Sequence, residues 1–405
     1  MFFKKRFYMH LFHSLGHVFG GTLLIAGTMV GVGMLALPVS TAEGGFLPAI
    51  LIYFLCWCFM LCTGLLLLEV CSWMPKDSNF ITMSERLLGP IGKDVCWVVY
   101  LFLFFTVMIA HVVGGGAIVG EISGQTIPVW LSTILYVALF SPVVYLGTLW
   151  VDRLNITLML GVYISYIVFI VVACRFVDFS HYARIEWPKA WIALPVLFTA
   201  FTYQVIVPTL MTYMNRNVKK VRLAIILGTS IPLVVYIIWE GLILGIIPVE
   251  GLIEAATKGQ TAVIPLKELL QSTLVFKIGK AFAFFTLTTS YIALSLAYLD
   301  FLADGFKVKK VGFKKVLLCL AVFVPPTLIG LTYPDIFLKA LGYAGGISCA
   351  ILFGLYPPLM AWMGRYVKKY SYKPQLPGGK ISLVILIAFV LFELWIEISH
   401  ELLKL

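Results

Sequence analysis

The chain has 405 residues, of which 61% are hydrophobic and only 12% charged, about half the charge of an ordinary soluble domain. That composition excludes a soluble globular protein and leaves a polytopic membrane protein as the class. The net charge of +11 is carried by short clusters between apolar runs, where basic residues set topology, so it does not mark a nucleic-acid binder.

Lys4, Lys5 and Arg6 precede the first apolar run, from about Val18 to Val39. That run exceeds the roughly 7–15 residues of a signal-peptide core, so it is expected to stay in the mature protein. Runs of about 20 apolar residues, enough to cross about 30 Å of hydrocarbon, place eleven spans near 17–40, 46–71, 95–121, 127–149, 155–174, 190–213, 221–247, 275–302, 315–332, 335–363 and 381–400. A single transmembrane domain over 1–405 follows. With the N-terminus in the cytoplasm, most of the 30 Lys and Arg residues fall on the cytoplasmic side, as the positive-inside rule requires, and the C-terminus lies outside. The eight cysteines sit in or beside apolar runs without metal-ligand spacing and read as filler.

Span 1 contains Gly27, Gly31 and Gly33 at mid-bilayer depth, where weak helix formers predict a break. Backbone groups left open in lipid are tolerated only where they line an enclosed cavity or hold something polar. Span 6 carries a polar and aromatic patch between Pro195 and Pro208, and Pro208 removes a donor that an unbroken helix would need. The two broken spans are five apart, the spacing of two inverted repeats, 17–174 and 190–363, followed by an extra helix at 381–400. Each break offers carbonyls from one half-helix and N–H groups from the next. The N–H groups of Gly31, Val32 and Gly33 are candidates for a carboxylate, and the carbonyls of Ile25, Ala26, Phe198 and Thr199 for an ammonium, so the expected guest is a zwitterionic amino acid. Gly27-x-x-x-Gly31 taken alone also fits close helix packing.

At these residues the chain resembles the hydroxy and aromatic amino acid permease family. The likeness runs through Leu24 to Pro38 in span 1, Leu194 to Thr199 in span 6, Ile231 to Val234 in span 7, Leu299 to Asp304 in span 8 and Ala340 to Gly346 in span 10. The resemblance implies an all-α membrane protein with eleven spans and the 5+5 inverted-repeat fold of amino acid–polyamine–organocation transporters. It also implies import of tyrosine or tryptophan across a bacterial inner membrane by alternating access, usually as proton symport. One departure stands out: relatives commonly carry Phe-Gly-Phe-His-Gly at the span-6 break, where this chain has Phe201-Thr202-Tyr203-Gln204-Val205. Gln204 removes a titratable group, and the choice among tyrosine, tryptophan and phenylalanine stays open.

Phe201, Tyr203 and Tyr291 are the candidates for contact with an aromatic ring. Ionisable groups deep in a span default to functional readings, which makes His111 in span 3 and Glu240 in span 7 the proton-coupling candidates. Thr289-Ser290 in span 8 resembles a hydroxyl pair that forms a sodium site in the wider superfamily, so sodium symport is the alternative. Glu69, Asp300 and Asp304 sit near cytoplasmic helix ends, where pairing with basic loops is expected. Glu393 and Glu397 form an i, i+4 stripe for a helix or oligomer contact. The external connection from Pro248 to Lys280 holds an amphipathic stretch, Ile264 to Leu270, readable as a lid or as an interfacial helix.

No P-loop, His-Glu-x-x-His or catalytic triad occurs, so neither an enzyme nor a cofactor is expected. A metal-dependent intramembrane transferase would rely on Asp300 and Asp304, one helical turn apart, but lacks basic partners within the spans. A channel would not need paired broken helices. The expected partners are an aromatic amino acid, a proton (alternatively sodium) and membrane lipid, with no nucleic acid.

Overall fold

A computed structural model describes residues 17–76, 78–266, 273–370 and 373–403. Lys4, Lys5 and Arg6, and the end of the amphipathic stretch beyond Leu266, lie outside the described residues. The described chain is a bundle of ten helices long and apolar enough to cross a membrane, or eleven with the bent pair His17–Met29 and Val32–Thr41 taken as one span.

The eleven expected spans are all found. After span 1 come Phe46–Trp73, Phe80–Ile122, Val129–Leu146 and Thr148–Ala173 as spans 2 to 5. Span 6 is Leu194–Tyr213, and Val218–Ile246, Thr273–Gly305 and Gly312–Thr332 are spans 7 to 9. Spans 10 and 11 are Phe337–Val367 and Gly379–Leu403. Span 3 itself starts at Pro90, close to its expected start at 95, and a preceding helix from Phe80 meets it through the non-helical backbone of Gly89 (φ 81°). Span 10 winds as a π-helix from Ala344 to Leu355, a wide-turn form concentrated at functional positions.

Span 5 shows the membrane logic. Ile156, Leu160, Ile164, Ile167 and Val171 recur at helical spacing and are all more than half exposed, an apolar stripe fit to meet lipid. Its opposite face packs on span 8, while span 2 lies on span 7, and the first half of span 6 lies on span 10. The second half of span 1 and the first half of span 6 are thereby buried among the other spans, whereas the first half of span 1 leaves Phe19, Leu23 and Leu24 exposed. The near face of the bundle is the one on which span 1 begins; span 1 ends, at Thr41, on the far face.

The far face is capped by two connections. Between spans 5 and 6, the Tyr182 hydroxyl donates to the Gly241 carbonyl at 2.6 Å, and the Asp178 N–H donates to Gly245 at 2.8 Å. The Ser180 N–H holds the Asp178 carboxyl below the usual carboxylate range. Between spans 7 and 8, a helix at Val249–Thr257 leads to Ala262, whose N–H donates to the Leu35 carbonyl in the second half of span 1 at 3.1 Å.

Candidate functional site

Span 1 breaks at Val30 and Gly31, and its halves are bent by 53°. The first half ends with the Val30 N–H donating to Ala26, and the second starts with the Met34 N–H donating to Gly31. The N–H groups of Gly31, Val32 and Gly33 therefore stand at the beginning of a helix, where no intrahelical acceptor exists. Gly33 is dictated by the neighbouring span: a Cβ there would lie 2.9 Å from the Ala200 Cα and 3.3 Å from its nitrogen.

Span 6 breaks in the same layer. Its first half, Leu194–Ala200, ends in non-helical backbone at Phe201 and Tyr203; a short 3₁₀ turn over Gln204–Ile206 leads into the second half, Val207–Tyr213. Pro195 and Pro208 occupy the first turns of the two halves, where a missing N–H costs nothing. Gln204 holds the break open. Its Oε1 accepts from the Tyr203 N–H at 2.9 Å, and its Nε2 donates to Thr63 Oγ1 at 3.0 Å and to the Met60 carbonyl at 3.3 Å. Tyr203 donates its hydroxyl to that Met60 carbonyl at 3.2 Å.

One side chain joins the breaks. The Tyr236 hydroxyl of span 7 lies 2.6 Å from the Met29 carbonyl and 3.0 Å from the Ala200 carbonyl, the last helical residues of the two first halves. The carbonyl pair at the breaks is thus Met29 and Ala200, about one turn beyond the expected Ile25 and Ala26 and just past the expected Phe198 and Thr199. Ala26 accepts within its own helix, Phe198 accepts from the Thr202 hydroxyl at 2.7 Å, and Thr199 accepts from the Thr202 N–H at 3.4 Å. Ile25 turns its side chain to Gly228 of span 7, and Gly27 faces Met159 of span 5 at ordinary contact distance.

The aromatic candidates separate. Phe201 is fully buried and meets Tyr236 edge-on at 5.2 Å and Tyr53 at 6.1 Å between ring centres. Tyr291 sits instead with Tyr136 and Phe323, its hydroxyl 3.4 Å from Ser141, in a cluster of spans 4, 8 and 9. The hydroxyl pair of span 8 also divides. Ser290 lies against Gly31, whose Cβ would stand 2.7 Å from its Oγ, whereas Thr289 donates to Asn155 of span 5.

Glu240 is fully buried near the far face, and two hydroxyls address its carboxylate, Thr41 at the end of span 1 on Oε1 and Tyr53 of span 2 on Oε2 at 2.6 Å. Since Tyr53 also touches Phe201, and Phe201 touches Tyr236, two side chains link the carboxylate to the tyrosine that bridges the break carbonyls. A cavity of about 330 Å³ opens on the far face, lined by Ala42, Gly45, His181, Arg184, Leu244 and Glu250 among others. Ala42 follows Thr41, and Leu244 is one turn beyond Glu240. His111 is buried, with Nδ1 2.8 Å from the Val107 carbonyl of its own helix and Nε2 without a partner among the described residues.

On the near face Glu69 and Arg365 form a buried bidentate pair, with Nε to Oε1 at 2.6 Å and a second guanidinium nitrogen to Oε2 at 2.7 Å. The Gln375 N–H adds a third donor at 2.8 Å. Asp300 is exposed and pairs with Lys310 of the following loop at 2.6 Å. Tyr236, Tyr53, Thr41 and Asn155 were not marked by the sequence; a tyrosine or threonine inside an apolar span carries no pattern that separates a bridging role from filler.

Comparison with known proteins gives a consistent set of relatives. The model of the tryptophan/tyrosine permease family matches residues 15–396. A tryptophan-specific transport protein of Pseudomonas aeruginosa is 31% identical over 360 residues, covering 85% of this chain and 86% of that one. Tyrosine-specific transport system 1 of Haemophilus influenzae is 28% identical over 375 residues, covering 91% and 93%. Among solved structures, MhsT in complex with L-phenylalanine is similar in fold, with a TM-score of 0.64 at 14% identity over 93% of this chain and 98% of that one.

Proposed function

Because this chain belongs to the tryptophan/tyrosine permease family, we propose that it is a secondary active transporter that imports an aromatic amino acid, tyrosine or tryptophan, together with a proton. Its curated relatives are named transport proteins and permeases, and the chain is a multi-pass membrane transporter, not an enzyme. The observation that carries the reading is the bridge from Tyr236 to Met29 and Ala200. It brings two helix C-termini, each rich in unpaired carbonyl charge, to within one hydroxyl of each other. The open N–H groups of Gly31, Val32 and Gly33 lie at the start of the next half-helix.

In this reading the substrate carboxylate takes the Gly31 to Gly33 N–H groups. The ammonium takes the Met29 and Ala200 carbonyls as the Tyr236 hydroxyl gives way, and the ring lies toward Phe201. Tyr203 and Gln204 shape the break, anchored on span 2. The second half of span 1 and the first half of span 6 touch at Gly33 and Ala200, so they move together as access alternates, and Ala262 on Leu35 acts as a lid contact.

The coupled proton is assigned to Glu240, because its hydroxyl donors tie the end of span 1 to spans 2 and 7. Protonation removes the charge that holds Thr41 and Tyr53, and the far-face cavity beside it gives water a route. His111 is the weaker candidate, since Nδ1 is committed to its own helix. The sodium alternative draws on Ser290 beside Gly31, with Thr289 already held by Asn155. The repeats 17–174 and 190–363, the extra helix 381–400, an inner-membrane location, a cytoplasmic N-terminus and a periplasmic C-terminus belong to the same proposal.

Uptake of labelled tyrosine and tryptophan into proteoliposomes tests it, with a proton gradient and a sodium gradient imposed separately. Accumulation under the proton gradient alone is expected. Accumulation under sodium alone overturns the coupling, and uptake of neither amino acid overturns the substrate.

A further inference from the structure

Span 11 stands apart from the paired breaks and from the Thr41, Tyr53 and Glu240 cluster, yet two of its carboxylates, Glu393 and Glu397, are buried. They are one turn apart and face span 10. Glu397 lies on Gly346, where a Cβ would stand 2.8 Å from its Cδ and 2.9 Å from its Oε2, and Val390 lies on Gly354 in the same way. The two helices therefore run antiparallel, with Glu393 between these contacts. The titratable groups around Glu393 are Glu397 on its own helix, Cys349 of span 10 and Cys56 of span 2.

Glu393 has no accessible surface, and neither of its oxygens has a hydrogen-bond partner among the described residues. Ser348, next to Cys349, likewise has a buried hydroxyl without a partner among the described residues. A helix contact alone does not call for such a group. An ionised carboxylate with no donor and a second carboxyl one turn away is among the costliest arrangements a protein interior can hold, whereas a carboxylic acid carrying a proton is tolerated there.

The same stretch of span 10 backs the first half of span 6. Gly345, beside Gly346, takes the Pro195 carbonyl and the Thr199 side chain against its bare Cα, and the Thr199 hydroxyl donates to the Leu341 carbonyl at 2.9 Å. All of this lies at the start of the π-helical segment Ala344–Leu355. We propose that Glu393 and Glu397 form a proton-binding site on span 11, whose occupancy controls how span 10 supports the first half of span 6. With the proton bound, span 11 seats on Gly346. Its loss places charge in a sealed contact, so span 11 must draw back or admit water, and the support behind Thr199 slackens.

This site is separate from Glu240 and holds whichever amino acid is carried. Infrared difference spectroscopy of the full-length protein, titrated across neutral pH without substrate, reads it directly through the C=O stretch of a protonated carboxyl. The parent is expected to keep such a band at neutral pH and Glu393→Gln to lose it. Where Glu393→Gln does not fold, Glu393→Asp and Glu397→Gln are each expected to shift the band. Substrate exchange at equal ion concentrations on both sides supplies the second readout: Glu393→Gln is expected to keep the parent's apparent affinity while its rate loses at least half of the parent's variation with pH. A band unchanged in these variants, or a pH profile superimposable on the parent's, overturns the proposal. Failure of the parent to take up tyrosine or tryptophan bears on the transport reading alone, since the band requires no substrate.

Discussion

The Tyr236 hydroxyl lies 2.6 Å from the Met29 carbonyl, and from the same position it also reaches Ala200 at 3.0 Å. A single donor thus serves two helix ends that would otherwise turn unpaired carbonyls toward each other. Helix C-termini carry partial negative charge, so this is where a cation or a donor is needed. Tyr236 supplies that donor.

Tyr236→Phe removes that donor and leaves both carbonyls short of a partner in a buried place, at a cost of about 1–3 kcal/mol. The substrate-free variant is expected to melt at a lower temperature than the parent. A bound ammonium restores the missing interaction, so the rise in melting temperature on adding tyrosine or tryptophan should be larger in the variant. An equal rise in both proteins contradicts the assignment of Met29 and Ala200 to the ammonium.

Gly33→Ala inserts a methyl group 2.9 Å from the Ala200 Cα, where the neighbour is backbone and cannot swing aside. Overpacking of this kind costs about 1–3 kcal/mol. The variant should insert into the membrane and fold, but with that cost falling on the close approach of the two breaks transport should drop by about 5- to 150-fold, since each 1.4 kcal/mol is a factor of ten. Gly27→Ala is the control, because its new methyl would meet only the end of the Met159 side chain at 3.4 Å, and it should transport like the parent.

Glu240→Gln keeps the shape of the side chain and removes its charge. The amide has one acceptor oxygen in place of two, so its nitrogen must donate to whichever of the Thr41 and Tyr53 hydroxyls it faces and that hydroxyl must find another acceptor. The variant is expected to exchange labelled for unlabelled substrate across the membrane but not to accumulate substrate against a gradient. Concentrative uptake at the parent's level, driven by a proton gradient, would remove Glu240 from the coupling path.

Arg365→Met strands the Glu69 carboxylate in a site with almost no exposure. Breaking a buried pair from one side costs about 3–5 kcal/mol, while replacing both partners by apolar residues is often neutral. Chemical or thermal unfolding should show Arg365→Met strongly destabilised and the double variant Glu69→Leu with Arg365→Met close to the parent. A double variant as unstable as the single one would mean that Glu69 and Arg365 do not act as a unit.

Much of the architecture was legible because hydrophobic length and glycine or proline placement are local properties. The spans follow from apolar runs, and the breaks from Gly31, Gly33, Pro195 and Pro208. The helix that precedes span 3, from Phe80 to the non-helical Gly89, was not legible, since it is too short to show as an apolar run of spanning length. Nor was the π-helical winding of span 10, which depends on what that span packs against. Gln204 read as the loss of a titratable group, whereas in the structure its amide fixes the span-6 break to Thr63 and Met60. That role depends on a helix more than a hundred residues away in sequence, and Tyr236, Tyr53 and Thr41 escaped notice for the same reason. Glu393 and Glu397 read as a stripe for helix contact, and they do face span 10, though sequence could not show that the Glu393 oxygens find no donor there.

The claim on which the account turns is that the paired breaks hold both charged ends of an amino acid. Competition binding on the purified protein tests it most directly, with labelled tyrosine displaced by tyrosine, by tyramine, which lacks the carboxylate, and by 3-(4-hydroxyphenyl)propionate, which lacks the ammonium. Hydrogen bonds to charged groups contribute about 1.5–3 kcal/mol each, so each truncated compound should compete at least about tenfold more weakly than tyrosine. If either competes as well as tyrosine does, the end it lacks is not bound at the breaks and the account of the site is wrong.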